Sequence, residues 1–76
     1  MRNIQIGKTY KHFKGNYYKV LNIAKHSETN ELYVVYEALY ANHEVFVRPY
    51  EMFASEVDHQ KYPAVVQRYR FELQSD

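Results

Sequence analysis

With 76 residues, no cysteine and a formal net charge of +1, the chain is expected to form one domain. A domain of this size buries only roughly 60–65% of the surface its unfolded chain exposes. The lack of cysteine excludes a disulfide framework and a thiolate zinc site. No window is long and apolar enough for a membrane span, and the opening MRNIQIGK holds no apolar leader core, so a cytoplasmic protein is expected. Nine Tyr and four Phe with no Trp supply rings that pack on one side and hydrogen-bond on the other.

In chain order, residues 4–10 read as a first short strand. Residues 17–25 and 31–40 are rich in Val, Ile, Leu and Tyr, and the polar run His26-Ser27-Glu28-Thr29-Asn30 between them marks a hairpin. A type I turn with Asn30 left-handed sets Ala24 opposite Val34 and Asn22 opposite Tyr36. If charge chose the register instead, Lys25 would face Glu31 and Lys19 would face Glu37; turn chemistry is taken to win. In either register Tyr18, Val20, Asn22, Ala24, Leu32, Val34, Tyr36, Ala38 and Tyr40 share the core face. The opposite face carries Leu21, Ile23, Tyr33 and Val35 among its charges. These four form an apolar patch that another part of the chain covers, or that a partner or a second copy covers.

Residues 44–48 read as a fourth strand, and Pro49-Tyr50-Glu51-Met52-Phe53 as a short helical turn that returns Phe53 to the core. Residues 54–63 are more polar and read as a loop. Residues 65–73 read as the last strand, with Val65, Tyr69, Phe71 and Leu73 on one parity and Arg68, Arg70 and Glu72 on the other. No repeat, linker or low-complexity segment interrupts the chain.

Charge is segregated along the sequence. From position 1 to Ser27 the charged residues are Arg2, Lys8, Lys11, Lys14, Lys19 and Lys25, all basic; from Glu28 to Asp58 Arg48 is the one base among Glu28, Glu31, Glu37, Glu44, Glu51, Glu56 and Asp58. Two blocks of this kind compensate each other across neighbouring strands, or the first forms a basic face for an anionic partner.

The landmarks Gly7, Tyr10, His12-Phe13-Lys14-Gly15, Tyr18, Ala24, His26-Ser27-Glu28-Thr29, Glu31, Val35-Tyr36, Leu39-Tyr40, Val47-Arg48-Pro49, Phe53 and Arg70-Phe71 carry a resemblance. The chain resembles a small bacterial family known as domain of unknown function sixteen-fifty-three. Where that family commonly has Gly at the end of the His-Ser-Glu-Thr turn, this chain has Asn30, which tolerates the same left-handed backbone. The resemblance implies an SH3-like barrel and no assigned activity. Joined to the strand pattern, the expected fold is all-β: a small five-stranded SH3-like barrel with one or two short helical turns.

Function is therefore argued from residues. His26 and Ser27 are adjacent, with no elbow motif and no orienting third group, so a hydrolase-like enzyme is a remote alternative. The histidines at 12, 26, 43 and 59 lack paired ligand spacing, so no metal or cofactor is expected. Lys8, Lys11, His12, Phe13, Lys14, Gly15, Tyr17 and Tyr18 interleave cations with rings, as in single-stranded nucleic-acid sites. Against this stands a loop whose Phe13 and Tyr18 anchor it while the lysines are solvated. His12, Lys14, His26, Glu28 and Arg48 form a second candidate cluster. There Arg48 pairs with a carboxylate such as Glu28 or with a ligand oxyanion. The leading expectation is a non-catalytic module for protein or peptide recognition, monomeric or weakly dimeric, ahead of nucleic-acid binding.

Overall fold

The computed structural model describes residues 2–75. Five strands form one antiparallel sheet: β1 Thr9–His12, β2 Tyr17–Lys25, β3 Leu32–Ala38, β4 Val45–Pro49 and β5 Phe71–Leu73, in the order β4-β3-β2-β1-β5. One helical turn, α1 Tyr50–Phe53, follows β4 directly. Pro49 sits at its N-cap with φ of −50°, the value its ring imposes. Phe53 is thereby buried against the sheet, as the sequence predicts, and Tyr50 is buried with it.

The β2–β3 register departs from expectation in an informative way. Tyr18 faces Ala38, Lys19 faces Glu37 and Val20 faces Tyr36, the register that charge pairing favours; toward the turn it slips, so that Asn22 faces Val35, Ile23 faces Val34 and Lys25 faces Leu32. The slip is a bulge at Leu21, which the period-two reading does not contain. Its consequence is a change of face. Asn22 and Ala24 leave the core side and are exposed, while Ile23 joins Val34 and packs on the core. Ile23 is therefore not part of the outer apolar patch expected of it. Turn chemistry is right locally, since Asn30 has φ of 64°, but His26 Nδ1 accepts the N–H groups of Glu28 and Thr29 at 3.2 and 3.3 Å. The turn closes by Asn30 N–H to His26 C=O at 2.9 Å, which is longer than the expected type I turn.

The outer strands are shorter than the sequence implies. Residues 4–8 are irregular, with Ile4 buried and Gly7 in the left-handed region at φ of 85°. Of residues 65–73 only Phe71–Leu73 pair in the sheet, and Tyr69 forms an isolated bridge to Glu56.

The expected barrel does not close. β4 and β5 are the two edges and do not pair. The sheet nonetheless curls: Tyr36 on β3 and Phe71 on β5 lie three strand spacings apart, roughly 14 Å in a flat sheet, yet their ring centres are 5.5 Å apart. Inside the curl Ile4, Tyr10, Val20, Val34, Tyr36, Tyr50, Phe53 and Phe71 form the core.

Candidate functional site

At the gap between the two sheet edges, side chains replace the missing backbone pairing. His12 closes β1 opposite Phe71, and Arg48 on β4 stands opposite Val34. Arg70 sits in a bend just before β5, its N–H bonded to Ser55 C=O at 3.0 Å and its C=O accepting from Phe13 N–H at 2.9 Å. Arg70 continues the β1–β5 register opposite Phe13, and its charge, with those of Arg48 and Lys14, acts on His12. Together these elements bring His12, Arg48 and Arg70 to one place.

The floor is aromatic. Tyr18, Tyr36 and Phe71 contact one another edge to face at 5.5–5.6 Å, the favoured geometry for ring pairs. The His12 ring meets Phe71 at 4.9 Å and stacks on Phe13 at 4.5 Å. The Arg48 guanidinium lies 5.6 Å over the Phe71 ring, a cation–π contact, and its Nε donates to the Tyr36 hydroxyl at 3.2 Å. At the rim the Tyr18 and Tyr40 hydroxyls are 2.7 Å apart.

Electrostatics give the cluster its character. Burial, then the positive charges of Arg48, Lys14 and Arg70, hold the His12 pKa down to about 4, so the ring is neutral near pH 7. Its Nδ1 accepts the Lys14 N–H at 3.1 Å, which leaves the ring proton on Nε2 as a donor. Burial and the Tyr40 hydrogen bond push the Tyr18 phenol up to about 12. Among the described residues neither Arg48 nor Arg70 has a carboxylate partner; Glu37 is taken by His43 and Glu56 by Arg68. The Arg70 Nε is buried without any hydrogen-bond partner. A buried, charged donor with no acceptor is costly. The set is rich in donors and cations and holds no carboxylate, which suits an oxyanion.

The residues singled out in the sequence separate into groups. His12, Phe13, Lys14 and Arg48 come together here. His26 and Glu28 do not: they shape the β2–β3 turn, so an Arg48–Glu28 ion pair does not form. Lys11 pairs in register with Tyr17 and Glu72, in strand alternation opposite to Tyr10 and His12, the latter of which contacts the core ring of Phe71. Lys14 lies over the Phe13 and Tyr62 rings at 5.9 and 5.7 Å. On the outer face Tyr33 and Val35 are half-buried, with Val35 facing Val47. Arg70, Tyr36, Tyr40 and Phe71 are the residues sequence reasoning missed as site members, although the Arg70-Phe71 pair was visible as a landmark. A separate open depression is lined by Glu31, Leu32, Tyr50 and Glu51. Its Tyr50 hydroxyl is already engaged with Ile4 N–H and Arg2 C=O. Among the described residues no group of three or more His, Cys, Asp or Glu is placed to hold a metal ion, and no helix is long and apolar enough to cross a membrane.

Residues 8–73 match the family described as Protein of unknown function (DUF1653). The chain belongs to this family. A crystal structure of a DUF1653 protein from Bordetella bronchiseptica is 31% identical, with a TM-score of 0.73, covering 95% of this chain and 88% of that one. No curated protein matches the chain. The DUF1653 match spans every member of the cluster, from His12 through Arg48 to Arg70 and Phe71.

Proposed function

We propose that this protein is a non-catalytic binding module that recognises an acidic peptide segment of a protein partner, through the oxyanion site formed by His12, Arg48 and Arg70 over Tyr18, Tyr36 and Phe71. The observation that carries this reading is the Arg70 Nε, buried and without an acceptor, beside a second guanidinium and a neutral His donor that likewise have no carboxylate. A ligand carboxylate meeting the other guanidinium N–H groups and the His12 Nε2 offsets these cations, and the guanidinium fork gives it direction. Recognition of single-stranded nucleic acid is the less supported alternative, because the Phe13 and Tyr18 rings that would stack bases are packed on His12, Tyr36, Tyr40, Tyr62 and Phe71. A hydrolase-like activity has weaker support still: the His26 Nδ1 accepts the Glu28 and Thr29 N–H groups of the turn rather than activating the adjacent Ser27.

The test is a residue-resolved NMR titration of the labelled protein with a Glu-rich peptide, the same peptide with Gln for Glu, and a short single-stranded oligonucleotide. Saturable shifts at His12, Arg48 and Arg70 with the Glu peptide alone are the expected result. Shifts centred on Lys8, Lys11 and Lys14 with the oligonucleotide, and none with the peptide, would replace this reading with the nucleic-acid one.

A further inference from the structure

A second observation concerns the free edge of β4, the strand that also carries Arg48 of the oxyanion site. Among the described residues strand β4 pairs with β3 on one side and with no strand on the other. Ala38 donates to Glu44 C=O at 2.9 Å, so the backbone groups of Glu44 point toward β3. By the alternation of an antiparallel ladder, those of Val45 and Val47 point away from it. The side chains along this edge are apolar and open to solvent: Val45 is 57% exposed, Phe46 39% and Val47 64%. No lysine, bulge or internal proline blunts the edge, and Pro49 stands only at its end. Edges are usually protected by such devices.

The edge is self-complementary. Antiparallel pairing about a two-fold axis through Phe46 sets Val45 opposite the partner's Val47, and Phe46 against the partner's Phe46. It also sets Glu44 opposite the partner's Arg48. The residues that then exchange backbone hydrogen bonds, Val45 and Val47, are those whose N–H and C=O face outward. Opposite charges meet at both ends of the pairing, as an isologous contact requires. A one-residue slip loses both matches, since inward-facing groups would oppose outward-facing ones.

We propose that β4 is a self-association edge, through which two copies of this chain join their sheets by antiparallel β4–β4 pairing centred on Phe46. A contact this short buries less than the roughly 1,000 Å² typical of a stable interface, so the dimer is weak and forms with rising concentration. The proposal does not rest on the oxyanion reading, and its test variants leave His12, Arg48 and Arg70 in place.

The experiment mixes isotope-labelled and unlabelled protein at high concentration and records contacts between copies by isotope-filtered NMR, with sedimentation measured across a dilution series. Contacts from the Val45 methyls to the partner's Val47 methyls, and between the two Phe46 rings, are expected. Val47→Pro removes an outward N–H that β3 does not use and should abolish them. Glu44→Arg should weaken association roughly tenfold by setting like charges opposite each other. If Val47→Pro does not fold, the exposed Glu44→Arg variant decides alone. A strictly monomeric protein at the highest concentration, cross-copy contacts at another surface, or variants that associate like the parent would each overturn the proposal.

Discussion

Phe53 and Phe71 stack face to face with ring centres 4.0 Å apart and 6° between their planes. One ring comes from the helical turn after β4 and the other opens β5, so the pair bridges the two sheet edges that fail to hydrogen-bond. Both rings are almost fully buried. The stack does two jobs: it holds the curl of an open sheet and it fixes Phe71 as the floor beneath Arg48.

Truncating Phe53 should therefore cost more than its area alone. Phe53→Ala is expected to destabilise the fold by about 3–5 kcal/mol, a large share of what a domain this small possesses. Met52→Ala, one residue away and 48% exposed, should change stability by only about 0.5 kcal/mol or less. Denaturant unfolding of the two variants checks the contrast.

Tyr50 ties the irregular start of the chain to α1. Its hydroxyl donates to Arg2 C=O at 2.6 Å and accepts from Ile4 N–H at 2.8 Å. Tyr50→Phe leaves the buried Ile4 N–H without an acceptor and should cost about 1–3 kcal/mol. Amide hydrogen exchange at Ile4 should accelerate in the same variant.

His12 predicts a pH dependence whose sign follows from its lowered pKa. In the unfolded chain the ring takes a proton near pH 6.5, whereas in the folded protein it resists until about 4. Between these values the unfolded state binds more protons, so this group's contribution to stability falls as pH drops from about 6.5 to 4 and is flat below that range. Comparing thermal unfolding of the parent and His12→Gln across that window isolates the effect; the variant should lack this part of the slope. Saturating phosphate should raise the His12 pKa by offsetting the charges of Arg48, Lys14 and Arg70.

Much of the fold is legible in the residues themselves. The polar run before Glu31 marks the hairpin, and Pro49 starts a turn that buries Phe53, because these signals are local. The Leu21 bulge is not legible, since an extra residue among Val, Leu and Ile leaves no compositional trace, and with it the face of Ile23 is misread. Lys19 does stand opposite Glu37 in the ladder, although the Glu37 carboxylate goes to His43. The site is half legible: a lone Arg48 among acids stands out, whereas Arg70 gains its place from the curl of a sheet that only tertiary packing creates.

The most direct test of the central claim is to follow the side-chain Nε–H signals of Arg48 and Arg70, with the His12 ring signals, while inorganic phosphate and then a Glu-rich peptide are added. The account predicts saturable shifts at all three residues, loss of the response in Arg70→Gln, and an unchanged backbone spectrum for that variant away from the site. An Arg70 Nε–H signal that does not move at saturating anion, or moves no more than the backbone amides of Lys8 and Lys19, would contradict it.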